Sequence, residues 1–301
     1  MSLVGQVIKT PSSLLAASAL VVNAFIWGVS WWPFRELQGY GLHPLWATAG
    51  IYWLVVAGML VFFKGAFKAL AANPVLWWLA LASGLTNVGF NWAVTVGDVV
   101  RVVLLFYLMP AWAVLVAWLM LGERPTRASL LRLVIAMTGV LIVLKTPDSP
   151  WPIPQSGPDW LALMGGLSFA ITNAVLRKFS HTPSSARMLA MFAGGALLAT
   201  GVAALGVLAQ TVPAPSLQSA GVVALVGLSL AFVVSNAALQ YGAARLPSST
   251  TSLIMLTEIL FASVSAALLA SADFSPRVLW GGSLIVLAAL LAALARPAPR
   301  S

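Results

Sequence analysis

Residues 97–125 read GDVVRVVLLFYLMPAWAVLVAWLMLGERP, and they decide the fold class of this chain. Between Arg101 and Glu123 there are 21 uncharged residues with Pro110 in the middle. At a rise of about 1.5 Å per residue, such a helix crosses a hydrocarbon core about 30 Å thick. Pro110 leaves the carbonyl of Phe106 without its helical partner, which lipid tolerates only where the carbonyl faces protein or a water-filled cavity. The stretch therefore predicts a membrane-spanning helix with a kink that faces either other protein or a water-filled cavity.

The composition of the whole chain extends this prediction to a polytopic membrane protein. The 301 residues are 60% hydrophobic and 8% charged, with a mean hydropathy of +0.97. Soluble proteins carry about 25% charged residues, so too little charge is present to cover a soluble surface. The net charge of +9 is explained by basic cytoplasmic loops, since no basic run with interleaved aromatic residues indicates nucleic acid as a partner. Without cysteine, the chain can form neither a disulfide framework nor a thiolate metal site.

Ten apolar segments separated by Pro, Gly or charged residues predict ten spans. They run over residues 14–34, 42–63, 75–96, 99–121, 128–145, 158–178, 186–210, 217–243, 247–270 and 276–295. With the N-terminus inside, 12 of the 16 Lys and Arg residues, Arg187 among them, lie at inner ends, against three at outer ends and Arg101 just within the membrane. This bias predicts that both termini are cytoplasmic. Lys9 precedes a segment too long for a convincing cleaved signal.

The ten segments divide into two halves of five. A first unit at 14–145 and a second at 158–296 are joined by a Pro-rich extracytoplasmic connector at 146–157. FNWAVTVG (90–97) aligns with SNAALQYG (235–242), and LMPAWAVL (108–115) aligns with LTEILFAS (256–263), which places Pro110 opposite Glu258. Because five is odd, the second unit enters the membrane inverted. We expect an all-α integral membrane protein with ten transmembrane helices, as two inverted five-helix repeats around a central cavity, an arrangement that permits alternating access.

The stretch 97–125, with its Leu-x-Pro and Leu-Gly-Glu, resembles the ten-helix EamA-type exporters of the drug/metabolite transporter superfamily. The resemblance covers about residues 14–296 and implies a bacterial inner-membrane exporter, similar to exporters of amino acids that include aromatic ones. The second half departs from the pattern, because Glu258 and Ala270-Ser271 replace the Pro and the Gly-Glu. This departure leaves it open whether both halves move alike.

Polar and aromatic side chains at helical spacing are the candidates for the cavity. We expect helices one, three, four, six, eight and nine to line it, with helices five and ten at the periphery. Close helix–helix packing is the alternative for each of these side chains, since buried Asn, Gln, Ser and Thr also bond across membrane interfaces. The candidates for substrate binding are Asn23, Trp27, Ser30, Asn87, Asn91, Trp92, Tyr107, Trp112, Ser168, Thr172, Asn236 and Gln240.

Glu258 is the one acid deep inside a predicted span, and an ionisable group there is a functional candidate. Burial disfavours its charged form, so it is a candidate for proton coupling, with a purely structural glutamate as the alternative. Asp98 and Arg101, three residues apart at the outer end of helix four, are a local ion pair or an extracellular gate. We predict a simple loop pair for Glu123 with Arg124. Gly97, Pro110 and Gly242 are the hinge candidates.

No catalytic constellation, metal-ligand spacing or phosphate-binding loop can be drawn from the seven acids and two histidines. We therefore expect a transporter without enzymatic activity, cofactor or metal, whose partners are a small solute and the lipid bilayer. A monomer is plausible. The open alternatives are an exporter of cationic drugs or sugars, and a membrane structural protein that carries no solute.

Overall fold

The computed structural model of the chain describes residues 11–97, 99–145, 153–216, 218–270 and 276–295. These residues form thirteen α-helices. In chain order the helices are α1 (Pro11–Gly39), α2 (Pro44–Phe62), α3 (Ala66–Ala71), α4 (Leu76–Val96), α5 (Val99–Phe106), α6 (Met109–Leu121), α7 (Arg127–Leu144), α8 (Gly157–Lys178), α9 (Ser184–Leu208), α10 (Gly221–Ala243), α11 (Ser248–Met255), α12 (Glu258–Ala270) and α13 (Pro276–Ala293).

Ten spans account for these helices, as the sequence predicts. The short α3 lies in a connection, while α5 with α6 and α11 with α12 are each one interrupted span. In the part of the chain that the structure describes, nine spans are long and apolar enough to cross a membrane. The tenth is α4, which has 21 residues but carries Ser83, Thr86, Asn87 and Asn91, and these lower its hydropathy. The chain is thus a multi-pass membrane protein, and α4 is a span that carries several polar side chains along its length.

Large apolar side chains cover the outside of the bundle. Phe62, Leu208 and Leu268 are exposed over 82%, 80% and 78% of their surface. Soluble proteins rarely carry apolar patches of this extent, because water penalises them. Hydrocarbon does not, so this surface is the one that faces lipid.

The fourth span is interrupted one turn earlier than its proline. Tyr107 and Leu108 form a turn, and α6 starts at Met109 with Pro110 in its first turn. A first-turn position suits proline, since the N–H there has no helical partner. The expected kink is therefore a full break between two helices.

The ninth span breaks in the same way without a proline. Leu256 and Thr257 form the turn, and the Thr257 hydroxyl donates to the Ile254 carbonyl over 2.7 Å. The α12 helix then begins at Glu258, which the sequence alignment had placed opposite Pro110. The ninth span is therefore interrupted like the fourth, although Glu258 replaces the proline there.

Small residues allow the helices to approach closely. The α7 and α13 helices pack on each other, and a Cβ atom added to Gly139 would lie 2.6 Å from the Gly281 carbonyl oxygen. On α9, a Cβ atom at Gly194 would collide with the Ala80 carbonyl of α4. Such contacts between small residues are the usual means of helix association in lipid. They hold α4 against α9 beside the cavity and join α7 to α13 at the periphery, as expected for helices five and ten.

The C-terminal ends of α6 and α8 meet at one end of the bundle. This end, which carries Arg177 and Lys178, is here called the basic end. Arg177 Nε lies 2.6 Å from Glu123 Oε1, and Lys178 Nζ donates to the Met120 carbonyl over 3.2 Å. The predicted pair of Glu123 with Arg124 is therefore wrong. The reason is tertiary: the last turn of α8 brings a guanidinium group to Glu123, which no sequence spacing indicates.

Candidate functional site: a central cavity lined by aromatic and amide side chains

A cavity lies between the two halves of the chain, and the atom-free space in it, counted together with the open solvent at its mouth, is about 860 Å³. Its twenty lining residues come from α1, α2, α4, α5, α6 and α8 to α12. Seven of them are aromatic, namely Trp27, Tyr52, Phe90, Phe106, Phe169, Phe192 and Phe232. The others are Asn23, Asn87, Asn91, Asn236, Ser83, Thr86, Thr172, Ser235, Met109, Met191, Met255, Leu239 and Glu258.

The structure brings six of the twelve sequence candidates to the wall of this cavity. They are Asn23, Trp27, Asn87, Asn91, Thr172 and Asn236. The other six lie elsewhere: Ser30, Trp92, Tyr107, Trp112, Ser168 and Gln240. Among these, Ser30 donates to the Trp27 carbonyl of its own helix over 2.7 Å, while Trp92 and Trp112 pack in separate apolar clusters.

Sequence reasoning missed most of the aromatic wall and two of the contributing spans. Tyr52 of α2 and Met191 and Phe192 of α9 belong to helices that were not expected to line the cavity. Three other wall residues could have been predicted from the sequence. Phe90, Phe169 and Phe232 each lie three or four residues from a polar candidate on the same helix. Residues at that spacing share one helix face.

The aromatic side chains pack against one another across the two halves. Trp27 stacks on Phe232 with ring centroids 4.5 Å apart, and Tyr52 meets the edge of Phe192 at 5.0 Å. Aromatic pairs in such geometries contribute about 0.5–1.5 kcal/mol beyond the burial of their area. They give the cavity a preformed apolar wall.

The amide groups both line the cavity and join helices. Asn23 Nδ2 donates to the carbonyl and hydroxyl of Ser235 over 2.8 and 2.6 Å, which joins α1 to α10. The Tyr52 hydroxyl donates to Asn87 Oδ1 over 2.7 Å, and Asn91 Nδ2 donates to Thr48 Oγ1 over 2.7 Å. The hydrogen bonds that join these helices therefore lie in the cavity wall, where a bound solute would contact them.

A hydrogen-bonded chain leads from the cavity toward the basic end. Gln240 Nε2 donates to Asn236 Oδ1 over 2.7 Å, and Arg187 Nε donates to Gln240 Oε1 over 3.2 Å. Arg187 Nη1 also donates to the carbonyls of Ser180 and Thr182, each over 2.7 Å. Arg187 is therefore a buried group that links the α8–α9 connection to α10. The sequence does not indicate this role, because Arg187 lies in the first turn of α9, close to the basic residues at the end of α8.

Glu258 is the one acidic side chain of the wall, and among the described residues that line the cavity there is no Lys, Arg or His. It begins α12, where its backbone carbonyl packs so closely on α1 that a Cβ atom at Gly28 would lie 2.7 Å away. The buried Tyr107 is a side-chain hydrogen-bonding neighbour of its carboxyl group. The break between α11 and α12 therefore places a single carboxyl group in an aromatic cavity.

Of the predicted gate pair Asp98–Arg101, only Arg101 lies among the described residues. Asp98 lies outside the described residues, so the Asp98–Arg101 pair stays a prediction. Arg101 Nε lies 3.0 Å from Asp159 Oδ2, and Arg101 also donates to the Ile153 carbonyl. Asp159 accepts a further bond from the Gln155 backbone N–H over 2.8 Å. Arg101 therefore ties α5 to the start of α8, at the end of the bundle opposite to the basic end.

Two of the three hinge candidates, Gly97 and Gly242, occupy crowded positions. Gly97 ends α4, and a Cβ atom there would lie 2.6 Å from the Pro158 side chain. A Cβ atom at Gly242 would lie 2.9 Å from the Ala16 carbonyl, in the contact between α10 and α1. Both glycines thus permit close approach of neighbouring segments, and Pro110 lies directly after a helix break.

Several buried polar atoms near the cavity have no hydrogen-bond partner. Asn23 Oδ1 and Thr172 Oγ1 belong to lining residues. Three more, on Ser248, Thr251 and Ser252, follow the face of α11 that ends in Met255 at the cavity wall. Buried polar atoms are normally paired, so each of these positions calls for a physical explanation. Elsewhere in the described ranges, no three His, Asp or Glu side chains come together as a candidate metal centre.

Comparisons with known proteins agree with this architecture. Residues 14–145 match the model of the EamA-like transporter family. A crystal structure of another protein superposes with a TM-score of 0.69 at 16% identity, covering 94% of this chain and 97% of that chain. At this identity the likeness shows the fold alone. No curated protein sequence matches the chain.

Proposed function

Because residues 14–145 match the model of the EamA-like transporter family, we propose that the chain exports amino acids, including aromatic and apolar ones, by alternating access. The match to this family supports a membrane transporter of small metabolites. The amino-acid substrates, the bacterial inner membrane and the cytoplasmic position of both termini belong to the proposal. So does a monomer that acts without cofactor or nucleic acid.

The central cavity is the observation that carries the proposal. Seven aromatic residues and four asparagines line it, so its wall offers apolar surface together with hydrogen-bonding groups. Small-molecule sites have this character, with an apolar lining and a few positioned polar groups.

Alternating access is supported by the two interrupted spans on either side of the cavity. Discontinuous helices at the midplane are typical of transporters whose halves rock around a fixed site. Here the breaks at Tyr107–Leu108 and Leu256–Thr257 lie in corresponding spans of the two halves. Arg101–Asp159 at one end and Arg187–Gln240 at the other are polar links that would have to rearrange as each end opens.

Glu258 is the candidate for proton coupling. A carboxyl group in an aromatic cavity can exchange a proton between the two open states, because burial and solvation differ between them. An exporter of organic cations is the second candidate, since Glu258 is the one acidic side chain among the described residues that line the cavity.

Counterflow in proteoliposomes tests the proposal. Vesicles are preloaded in turn with each unlabelled amino acid, and uptake of the same labelled amino acid is followed with protein-free vesicles as control. Transient accumulation of label against its gradient establishes a carrier and ranks its substrates without any coupling ion. No accumulation with any amino acid, from protein that elutes as a folded species, contradicts the amino-acid assignment.

A further inference from the structure

We propose that Glu258, together with Asn23 and Thr172, binds the ammonium group of the transported solute. This inference rests on the proposed function, since it names the chemistry by which the cavity selects what it carries. It requires a positively charged amine on the solute and makes a carboxylate dispensable.

The charge of the cavity is the first reason. Glu258 is its one acidic side chain, and no Lys, Arg or His accompanies it in the described wall. An ion held in a low-dielectric site needs a counter-charge, and a solute ammonium group can supply one to Glu258. A solute carboxylate would meet no cation there and would also lie near the Glu258 carboxyl group.

The unpaired acceptors are the second reason. Asn23 Nδ2 donates to the Ser235 carbonyl, which can only accept, so the amide cannot be flipped and Oδ1 faces away from this bond. That Oδ1 atom has no partner although Asn23 is 1% exposed. Thr172 Oγ1 is likewise unpaired on a residue that is 2% exposed. An ammonium group has three donors and no acceptor, which matches a carboxylate and two further oxygen acceptors.

The amide donors are the third reason, because the protein itself already engages them. The Nδ2 atoms of Asn87 and Asn91 donate to the Ser83 carbonyl and to Thr48 Oγ1, over 2.8 and 2.7 Å. Each of these amide groups thus has at least one of its two N–H donors engaged by the protein, which leaves fewer donors for a carboxylate. An ammonium group can use oxygens that are without a partner.

The aromatic wall completes the site. Trp27 and Phe232 stack on each other beside Asn23 and Ser235, and the faces of aromatic rings attract cations. The rest of the wall is apolar and suits the body of an aromatic amine. The cavity therefore discriminates by charge at Glu258 and by shape elsewhere.

A matched set of ligands tests the inference on the wild-type protein. Phenethylamine carries only the ammonium group, hydrocinnamate carries a carboxylate on the same skeleton, and L-phenylalanine carries both. Binding of each to detergent-purified protein is measured by calorimetry and by the shift of the thermal unfolding midpoint. We expect phenethylamine and phenylalanine to bind, and hydrocinnamate to bind at least about tenfold more weakly, since a charge-assisted bond is lost. Hydrocinnamate binding as tightly as phenethylamine would overturn the inference.

Two variants locate the site. Glu258→Gln should weaken phenethylamine binding by about tenfold or more, whereas Glu36→Gln, which removes an exposed carboxyl group at the far end of α1, should leave it unchanged. Thr172→Val keeps the shape of the side chain and breaks no protein hydrogen bond, so it should fold normally and lose a few-fold in amine affinity. Unchanged amine affinity in both Glu258→Gln and Thr172→Val would refute the assignment.

The outcome is separable from that of the proposed function. Amino-acid counterflow with strong hydrocinnamate binding would keep the exporter and reject the ammonium site. Glu258-dependent amine binding without any amino-acid counterflow would keep the ammonium site and reject amino acids as substrates.

Discussion

Arg187 on α9 and Gln240 on α10 are joined by a bond of 3.2 Å that closes a buried polar path between the cavity and the basic end. Gln240 bonds in turn to Asn236 of the cavity wall, over 2.7 Å. Arg187 is 7% exposed and holds the carbonyls of the α8–α9 connection. The guanidinium group thus links the central cavity to the loop between α8 and α9.

Removal of this link should destabilise the fold. Arg187→Gln deletes donors to four acceptors, Gln240 Oε1 and the carbonyls of Phe179, Ser180 and Thr182. A hydrogen bond to a charged group contributes about 1.5–3 kcal/mol. Gln240→Leu should cost about 1–3 kcal/mol, because it leaves Arg187 Nε buried without this acceptor. The thermal unfolding midpoint, followed by tryptophan fluorescence, should fall in both variants. Arg127→Gln, at the exposed start of α7, is the control and should stay within about 0.5 kcal/mol. An equal midpoint in all three variants would contradict a structural role for Arg187.

The contact between α4 and α9 should not accept a side chain at Gly194. A Cβ atom there collides with the Ala80 carbonyl, so Gly194→Ala must push the helices apart and should cost about 1–3 kcal/mol or more. Gly201→Ala is the matched control on the same helix, because nothing lies within 4 Å of its added Cβ atom. It should be neutral or stabilising, since alanine is favoured over glycine in a helix by about 0.5–1 kcal/mol. Unfolding midpoints measured in the same detergent compare the two, and equal effects would refute the close approach.

The unpaired polar face of α11 should become accessible during transport. Ser248, Thr251 and Ser252 are buried here without partners, which water would provide if the basic end opened. The chain has no cysteine, so single variants can be labelled without background. In nanodiscs, Ser184→Cys should react rapidly with a charged maleimide, because Ser184 is exposed. Ser252→Cys should react slowly, and faster when a transported solute is added.

Ala174→Cys separates this opening from general loosening. Ala174 is buried among side chains of α6 and α8, away from the unpaired face. It should remain unreactive with and without solute. If no solute that is active in counterflow changes the labelling rate of Ser252→Cys, the unpaired face of α11 is not part of the transport path.

Proton coupling through Glu258 predicts a specific loss. Glu258→Gln cannot exchange a proton, so a pH gradient should no longer stimulate net uptake in proteoliposomes. Counterflow at saturating solute should persist, with a weaker apparent affinity, because exchange needs no net proton movement. Glu123→Gln at the basic end is the control, and its uptake should respond to the gradient as the wild type does. Gradient-driven uptake that survives Glu258→Gln would place the coupling elsewhere or show that transport is not coupled to protons.

Local sequence determined the membrane class, the ten spans and the interruption of the fourth span. Each of these follows from properties of a single segment: its length, its hydropathy and the missing donor of Pro110. The polar face of α4 was visible for the same reason, because Asn87 and Asn91 are one helical turn apart.

Only the tertiary structure decided which residues meet. Glu123 pairs with Arg177, Arg101 with Asp159, and Arg187 with Gln240, each across more than fifty residues of chain. No proline precedes the break at Glu258. The aromatic wall includes Tyr52 and Phe192, whose spans show no face of regularly spaced polar residues near them in the sequence. Hydropathy places a helix in lipid but leaves its rotation open, and rotation is set by packing against neighbours through small residues such as Gly28 and Gly194.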